Sequence, residues 1–412
     1  MITHTYEISV TEQYLFSRGL NPENCIFFDI ETTGFRAASS HLYLIGAACK
    51  ITKDFSVRQE NPEAVSHWRI TQWMSEQPQE EPALLQAFAN YAEPYETLIH
   101  FNGKRFDLPY TEEKYAQHQL SSPFSGKTSV DLYIDFRPLK GFLKLDHMNQ
   151  KSLEVFLGLN RDDQYDGGRL IPVYREFCKT GDAKLLELLL LHNKEDVEGM
   201  FSLTSLYGYL NFLQTEQIRL FPDEILSAGT AGLAQDEILS VGTAGLAPDV
   251  TLSAGTAGLV RTEMISSGNG SADLLFTFLL AVPVPIPVSK SLDVGYLTLK
   301  NRTGKLMLSV RQDTLYYYFP DYKNYYYLPQ EDQAIHKSVA AYVDKQYRCP
   351  AKAENCYIRQ SGAFLPQPEE LFTPALRRSL KDPYTWFAWK EELLTDTERL
   401  ADYLLAWLRC IR

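Results

Sequence analysis

The first half of the chain alternates between short apolar runs and segments with helical periodicity. The run 25–30, CIFFDI, is almost continuously apolar, which is typical of a strand buried on both faces. Similar runs predict further strands over 42–49, 68–74, 97–103 and 129–136. Apolar residues spaced three and four apart predict helices over 80–95, 106–120, 145–159 and 181–213, the last of which is either one long helix or two abutting ones. Three close strands followed by this alternation predict a mixed α/β sheet with helices on both of its faces.

The second half, 272–412, has a different pattern. It begins with short aromatic and β-branched runs separated by turn residues, which predicts an antiparallel meander. Helices are expected after it, over 331–347, 369–380 and 386–411. The longest apolar run, 274–288, is shorter than the ~20 residues of a membrane-spanning helix and contains three prolines. The sequence therefore predicts a smaller α+β domain and no association with a membrane.

A tandem repeat separates the two halves. Residues 223–261 contain three copies of a 13-residue unit, each with the small and flexible sequence Gly-Thr-Ala-Gly-Leu. We interpret the repeat as a linker; a repeated strand or a partner-binding arm is the alternative. Deletion of 223–261 is therefore expected to leave the activity of the first domain largely intact. The predicted division is an N-terminal extension (1–21), a first domain (22–215), a linker (216–271) and an accessory domain (272–412).

Composition and charge narrow the class of protein. The 412 residues exceed the usual size of one hydrophobic core, which agrees with two domains. Taken alone, the formal net charge of −12 argues against binding of nucleic acid, because a phosphate backbone requires cations. The charge is uneven, because residues 289–412 carry a net +3 and the preceding residues a net −15. That division suits a metal-binding domain joined to a substrate-holding domain, but three positive charges are too few to decide it.

The cysteines and the N-terminus indicate the compartment. Six cysteines are scattered along the chain without a CxxC pair. The N-terminus has neither the basic nor the apolar region of a signal peptide. We therefore interpret the cysteines as reduced core thiols and expect a cytoplasmic protein.

Acidic residues stand at the ends of predicted strands. Asp29 and Glu31 close the first apolar run, and residues two apart in a strand point to the same side. Two buried carboxylates repel each other and are costly to desolvate, and a cation between them removes that cost. The alternative is a helix cap or a surface turn. We predict a metal site.

Two later segments supply further candidates. Asp107 follows the strand predicted over 97–103, at the start of a helix. His192 and Asp196 are four residues apart in the long helix predicted over 181–213, so they share one of its faces. Taken alone, such a pair is better explained by a surface ion pair than by a place in a site.

Three motifs together resemble those of a known superfamily. The segments FFDIETTGF (27–35), HFNGKRFDLP (100–109) and HNKEDV (192–197) resemble, in this order, the three motifs of the DnaQ-like or DEDD exonucleases. The resemblance covers about 22–213, and within the superfamily it looks most like the YprB-like ribonuclease H-like proteins of bacteria. It implies a ribonuclease H-like sheet and hydrolysis of phosphodiester bonds with two metal ions.

The resemblance also implies roles for the four acids. Two Mg²⁺ or Mn²⁺ ions, which prefer oxygen ligands, are expected on Asp29, Glu31, Asp107 and Asp196. Asp29 would bridge both ions, Glu31 and Asp196 would hold the ion on the side of the nucleophile, and Asp107 would act mainly through the other ion. These assignments come from the resemblance and not from the spacing.

His192 is the candidate general base. The superfamily has one version with histidine five positions before the last aspartate and another with tyrosine four positions before it. His192 lies four positions before Asp196, so a histidine occupies the position of the tyrosine. Imidazole titrates near neutrality and can accept the proton of a water. If the ring is aimed wrongly, the enzyme is expected to be slow, Mn²⁺-preferring or inactive.

Contacts with a substrate are expected around the motifs. By resemblance, Thr33, Gly34 and Phe35 contact the terminal nucleotide, and Asn102 and Phe106 line the same cleft. For Phe106, packing in the core is an equally good interpretation. Asp131 and Asp135 lie on the strand predicted over 129–136. A turn or an ion pair explains Asp131 better than a place in the site does.

These observations predict a metal-dependent 3′→5′ exonuclease that acts on ends of single-stranded DNA or RNA. One alternative is a catalytically weak or silent nucleic-acid-binding protein, and another is a structure-specific endonuclease on the same fold. The fold alone does not decide among these three functions. The presence of all four acids favours an enzyme. The sequence predicts neither the choice between DNA and RNA nor the protein partners.

Overall fold

The computed structural model describes residues 1–51, 65–162, 167–221, 252–266 and 272–412. The chain divides into two compact units, Met1–Leu210 and Asn211–Arg412. Between residues 1 and 213 the described strands are β1 (Ile2–Thr11), β2 (Cys25–Thr32), β3 (Leu42–Lys50), β4 (Val65–Met74), β5 (Thr97–His100) and β6 (Thr128–Asp131). The described helices in this part are α1 (Gln13–Ser17), α2 (Glu81–Ala92), α3 (Asp107–Gln117), α4 (Leu132–Phe136), α5 (Leu139–Phe142), α6 (Gln150–Phe156), α7 (Gly167–Thr180), α8 (Ala183–Leu203) and α9 (Tyr207–Leu213).

The first unit is built on one mixed sheet with the strand order β1-β4-β3-β2-β5-β6. The four strands from β1 to β2 pair antiparallel, and β5 and β6 continue the sheet parallel to β2. Because β2, β5 and β6 are parallel, their carboxyl ends meet at one edge of the sheet. The expected α/β fold with a ribonuclease H-like mixed sheet is confirmed.

Alternate residues of β2 contact the two helical layers. Ile26 and Phe28 belong to a buried cluster that includes Leu84 and Phe88 of α2. Phe27 points the other way and packs on Phe201 of α8, with 4.0 Å between the ring centroids. The apolar run is thus buried on both faces, as its composition predicts, and one of those faces is directed at α8.

Two elements of the first unit are shorter than predicted, because polar side chains cap helices inside them. The expected strand 129–136 stops at Asp131, whose carboxylate accepts hydrogen bonds from the backbone N–H groups of Tyr133 and Ile134 and begins α4. The expected helix 145–159 spans only α6, because the Asn149 side chain caps its first turn by accepting from the N–H of Ser152.

The predicted N-terminal extension, 1–21, is wrong for its first half. β1 pairs with β4 along its full length, from Ile2 opposite Met74 to Thr11 opposite Val65. Ile2, Tyr6, Ile8 and Val10 are partly buried and alternate with exposed residues, which is the pattern of a strand with one covered face.

The second unit contains a second sheet of six strands, in the order β15-β14-β10-β9-β8-β7, and a three-stranded sheet, β12-β11-β13. Its described strands are β7 (Gln217–Leu220), β8 (Thr256–Ser266), β9 (Ala272–Leu292), β10 (Gly295–Tyr318), β11 (Tyr325–Leu328), β12 (Gln333–His336), β13 (Cys349–Pro350), β14 (Tyr357–Gln367) and β15 (Thr385–Ala388). The described α-helices of this unit are the short α10 (Lys337–Ala340) and α11 (Thr397–Ile411). The expected antiparallel strands are present, and the apolar run 274–288 lies within β9.

The helices predicted in this unit are mostly wrong. Instead of a helix over 331–347 there are β12 and the single turn α10. The segment 369–380 contains no helix; Leu376 and Arg377 form isolated β-bridges with Trp386 and Tyr316. Only the last predicted helix is present, from Thr397 onward, because Asp396 caps it and its apolar face is buried.

The predicted linker, 216–271, contributes strands to the second sheet. β7 pairs parallel with β8, and β8 pairs antiparallel with β9. The last six residues of the third repeat, 256–261, are the first half of β8, with Ala257, Leu259 and Val260 buried. The linker interpretation is therefore wrong for these residues. The first two copies and the start of the third lie outside the described residues.

Two sequence expectations concern the environment of the protein. Among the described residues no helix is long and apolar enough to cross a membrane. All six cysteines are free, but Cys349 and Cys410 are exposed, so the expectation of core thiols fails for these two. Cys25 and Cys356 are buried, in agreement with it.

Because the end of the last repeat forms the first half of β8, deletion of 223–261 is now expected to affect the second unit. Removing 223–261 takes away half of β8, which is paired on both sides, so we expect the second unit to lose its cooperative unfolding transition. Removing only 236–248, one complete copy, leaves the sequence before β8 unchanged and is expected to preserve that transition. Calorimetry of both variants measures the difference. An unchanged unfolding profile for the larger deletion would contradict the assignment of 256–261 to the sheet.

Candidate active site

Two carboxylates at the end of β2 face α8. Asp29 and Glu31 alternate along the strand with Phe28 and Ile30, which belong to the core cluster on the opposite face. Glu31 is buried and Asp29 is half-buried. The spacing of two residues thus places both acids on the side from which α8 crosses the strand, as predicted from the sequence.

Helix α8 brings a histidine and a third acid to these carboxylates. The Nε2 atom of His192 lies 3.4 Å from Oε1 of Glu31 and 3.4 Å from Oδ2 of Asp196. One potential ligand atom from each of these three residues lies within 4.8 Å of the others. The ring of His192 therefore points into the acidic group. Its unusual position in the sequence motif had left the direction of the ring open.

An amide network that the sequence analysis missed fixes Asp29. The Nδ2 atom of Asn193 donates to Oδ2 of Asp29 at 3.0 Å. The Oδ1 atom of Asn193 accepts from Nε2 of the buried Gln72 at 2.8 Å. A side chain on Gly46 would place its Cβ 2.0 Å from Oδ1 of Asn193, so glycine is required for this close approach. These contacts join β2, β3, β4 and α8, and nothing in the local sequence pattern predicts them.

The fourth acid reaches the same edge from β5. Asp107 is the first residue of α3 and is 6% exposed. Burial, the largest influence, raises the pKa of Asp107 to about 7, although hydrogen bonds from the backbone N–H groups of Asp107 and Ile30 oppose the rise. The hydrogen bond from Ile30 ties this carboxylate to β2, between the two acids of that strand.

The electrostatics of this cluster are unfavourable without a cation. Burial raises the pKa of Asp29 well above its usual value, and the charges of Asp196, Asp107 and Glu31 raise it further. Carboxylates that crowd in this way are the ligands that Mg²⁺ and Mn²⁺ bind. The residues present therefore fit a divalent cation.

An ion pair that the sequence analysis also missed lies behind Asp196. The guanidinium of Arg161 donates from Nη1 to Oδ1 of Asp196 at 2.6 Å and from Nη2 to Oε1 of Glu154 at 2.7 Å. Arg161 lies in the loop after α6, and Glu154 lies within α6. Gln150 completes the group by donating to the backbone oxygen of Asp196 at 2.7 Å.

The acids form the floor of a cleft of about 1080 Å³. Three basic side chains, Arg105, Arg137 and Lys140, line it as well, and all three are exposed. Four aromatic side chains also line the cleft, namely Phe35, Phe101, Phe106 and Tyr133. Phe35 is 88% exposed and meets the ring of Phe106 edge to face. An acidic floor below a basic and aromatic rim suits an anionic, ring-containing ligand.

The expected substrate residues divide into two groups. Phe35, Asn102 and Phe106 line the cleft, and Phe106 also packs against the core cluster, so both interpretations of it hold. Thr33 and Gly34 are absent from the lining of this described cleft. They hold its loop instead: Thr33 exchanges hydrogen bonds with His41, and the backbone oxygen of Gly34 accepts from Ser40.

The two remaining aspartates have structural contacts. Asp131 accepts hydrogen bonds from the backbone N–H groups of Asn102 and Lys104, and so shapes the loop that carries Asn102 at a positive φ of 59°. Asp135 pairs with Arg18 and accepts from the hydroxyl of Tyr207. The contacts of Asp131 agree with the turn role expected for it from the sequence.

The raised pKa values predict how stability depends on pH and metal. In the unfolded chain an aspartate carboxyl has a pKa near 3.9, so between about pH 4 and 7 the carboxyl of Asp107 binds more protons in the metal-free folded state. The contribution of Asp107 to stability therefore falls as pH rises through this range. With EDTA at pH 8, Asp107→Asn is therefore expected to have a higher melting temperature than the wild type. Mn²⁺ is expected to raise the melting temperature of the wild type more than that of the variant.

Asp146→Asn is the matched control, because Asp146 is an exposed acid of the same cleft outside the carboxylate cluster. It is expected to follow the wild type at both pH 5 and pH 8. A melting temperature for Asp107→Asn below that of the wild type, in EDTA at pH 8, would show that the acids do not destabilise the metal-free protein.

Comparison with solved structures gives weak overlays. A family B DNA polymerase from the archaeon Pyrobaculum calidifontis shares 15% identity over 75% of this chain and 37% of its own, with a TM-score of 0.33. The zinc-bound complex of E. coli ExoI with single-stranded DNA shares 17% identity over 41% of this chain and 43% of its own, with a TM-score of 0.25. Neither overlay carries weight at such scores.

Comparison of sequences is more informative. A curated relative is the uncharacterized protein YprB of Bacillus subtilis (strain 168), 28% identical over 200 residues, which are 48% of this chain. The chain spans 44% of the length of that relative. The family model of the RNase_H superfamily matches residues 26–208, which include every acid of the cluster and His192. Residues 26–208 are therefore similar in sequence to the ribonuclease H superfamily, and their mixed sheet is ribonuclease H-like.

Proposed function

We propose that this protein is a metal-dependent nuclease, and specifically a 3′→5′ exonuclease acting on single-stranded DNA or RNA. The observation that carries the proposal is the convergence of Asp29, Glu31, Asp107 and Asp196 from β2, α3 and α8 at one edge of the sheet. Buried acids repel one another, so a fold that gathers four of them is best explained by a cation-dependent reaction.

The four carboxylates are the groups that would hold two Mg²⁺ or Mn²⁺ ions. Bound there, the ions supply an acidified water and neutralise charge on the scissile phosphate and the leaving oxygen. The charges of Asp196, Asp107 and Glu31 all raise the pKa of Asp29, which supports a bridging role for it. Asn193 keeps one oxygen of Asp29 fixed through a hydrogen bond of 3.0 Å.

His192 is the proposed general base. Its Nε2 atom lies 3.4 Å from carboxylate oxygens of Glu31 and Asp196, so the ring is held at the acidic floor of the cleft. From there Nε2 can accept a proton from a water placed by the same carboxylates. This position supports the catalytic alternative for His192 over the one in which the ring is aimed away from the site.

The rim of the cleft supports a nucleic-acid substrate. Arg105, Arg137 and Lys140 offer positive charges for phosphates, and exposed rings such as Phe35 offer stacking surfaces for unpaired bases. Stacking of a base on an aromatic ring contributes roughly 1–3 kcal/mol and does not depend on sequence. This combination fits a single strand better than a duplex, whose bases are already stacked.

The remaining features of the proposal come from the sequence. The 3′→5′ direction follows from the resemblance of the three motifs, and a cytoplasmic location is proposed because all six cysteines are free. All the proposed catalytic residues lie in the first unit, so the second unit is assigned an accessory role. A 2′-hydroxyl contact would distinguish RNA from DNA.

A cleavage assay tests the proposal. With Mn²⁺ or Mg²⁺, 5′-labelled single-stranded DNA or RNA is expected to give a descending ladder, because a 3′→5′ exonuclease shortens the strand from the unlabelled end. Asp29→Asn is expected to lower the rate more than about 100-fold, since an amide cannot replace a bridging carboxylate. Asp146→Asn, the cleft acid outside the cluster, is expected to cleave at the wild-type rate.

Circular single strands separate the alternatives. An exonuclease leaves a circle intact, whereas an endonuclease opens it. Cleavage of the circle at the linear rate would replace the exonuclease by an endonuclease. Tight binding without cleavage of any strand, by a folded protein loaded with Mn²⁺, would favour the silent binder.

A further inference from the structure

The two carboxylate oxygens of Asp196 face different partners. Oδ2 is directed at the acidic floor, 3.4 Å from Nε2 of His192. Oδ1 faces away from it and accepts a hydrogen bond from Nη1 of Arg161 at 2.6 Å, which is a short charge-assisted contact. The backbone oxygen of Asp196 is also engaged, by the side chain of Gln150. The residue is therefore held on one side and presented to the proposed metal centre on the other.

Arg161 is itself held in place by a second carboxylate. Glu154 accepts from both Nε and Nη2 of Arg161, at 2.5 and 2.7 Å, which is the paired geometry that fixes a guanidinium plane. The side chains of Arg161 and Glu154 are only 10% and 3% exposed. Burial lowers the pKa of Arg161, but the hydrogen bonds and the charges of Glu154 and Asp196 outweigh it and raise the pKa overall. The guanidinium therefore remains charged.

Two neighbouring features favour this arrangement. Gly199 lies on α8 one turn after Asp196, and a Cβ on it would come within 2.0 Å of Oε1 of Glu154. The backbone N–H of Asp162 donates to the side chain of Glu195 at 2.8 Å, which fastens the loop that carries Arg161 to the same helix. The bridge from Glu154 through Arg161 to Asp196 is thus built into the packing of α6 against α8.

The bridge limits how Asp196 can bind an ion. With Oδ1 occupied by a guanidinium, only Oδ2 remains for a cation. Mg²⁺ requires six ligands in a compact octahedron and is served by single carboxylate oxygens. Ca²⁺ takes six to eight oxygens and readily uses both oxygens of one carboxylate. The same acids therefore discriminate between the two ions according to whether the second oxygen of Asp196 is available.

We propose that Arg161, held by Glu154, is a positioning residue that makes the metal centre selective for Mg²⁺ over Ca²⁺ by occupying one oxygen of Asp196. The inference rests on the proposed function, because it assumes that the carboxylate cluster binds divalent cations. It adds a determinant of ion specificity that lies outside the set of metal ligands. Arg161 acts on the ion only through Asp196.

The test measures ion binding by the full-length protein, apart from catalysis. Bound Mn²⁺ is displaced by Mg²⁺ or Ca²⁺ and free Mn²⁺ is followed by electron paramagnetic resonance, which gives the dissociation constants of both ions. For Arg161→Gln the ratio of the Ca²⁺ constant to the Mg²⁺ constant is expected to fall by about tenfold. Loss of a positive charge strengthens the binding of both ions. Because Mg²⁺ and Ca²⁺ carry the same charge, this effect cancels in the ratio of their dissociation constants.

Two further variants control for a loss of folding and for a general effect of charge. Arg161→Gln leaves Glu154 buried without its partner, which can destabilise the fold. The double variant Glu154→Gln with Arg161→Gln removes both charges together, and the same fall in the ratio is expected for it. Arg137→Gln removes an exposed positive charge from the cleft without touching Asp196, so its ratio is expected to match the wild type.

The outcomes separate the inference from the function on which it rests. An unchanged ratio in a folded double variant overturns the role of Arg161, while metal binding and cleavage by the wild type leave the proposed nuclease intact. A fall in the ratio for Arg137→Gln also overturns it, because charge alone would then explain the effect. A folded wild-type protein that binds neither Mn²⁺ nor Mg²⁺ contradicts the proposed function itself.

Discussion

The repulsion among four carboxylates gathered at one edge of a buried sheet is the constraint on which the site depends. Burial and mutual repulsion raise the pKa of Asp29, and burial raises that of Asp107 to about 7. The surrounding fold opposes this repulsion by fixing each acid: Asn193 holds Asp29, the N–H of Ile30 holds Asp107, and Arg161 holds Asp196. A divalent cation removes the remaining cost, so the metal-free protein is expected to be the less stable form.

The topology explains why the acids meet. β2, β5 and β6 run parallel, so the carboxyl end of β2 and the start of α3 after β5 lie at the same edge of the sheet. Helix α8 crosses that edge because Phe27 packs on Phe201, which sets the face of β2 that the helix covers. The same packing directs Asp29 and Glu31 towards His192. Core packing and the chemistry of the site are therefore set by alternate residues of a single strand.

Much of the site could be predicted from the sequence, because its signals are local. The spacing of two in Asp29 and Glu31 and of four in His192 and Asp196 places each pair on one face. Asn193, Gln72 and Arg161 were missed, since their contacts join residues far apart in the chain and no periodicity encodes them. The helix expected over 369–380 failed for a related reason: bridges to Trp386 and Tyr316 decide the conformation there, and tertiary pairing overrides local preference. The alternating pattern of β1 was present in the sequence but was assigned to an extension.

The most direct test of the account is a crystal structure of the protein grown with Mn²⁺, in which anomalous scattering locates the ions independently of any model. Two Mn²⁺ peaks are expected about 3.5–4 Å apart, bound by Asp29, Glu31, Asp107 and Asp196, with one oxygen of Asp196 still paired with Arg161. A well-ordered cluster of these four side chains with no anomalous peak among them, or Mn²⁺ bound only elsewhere, would contradict it.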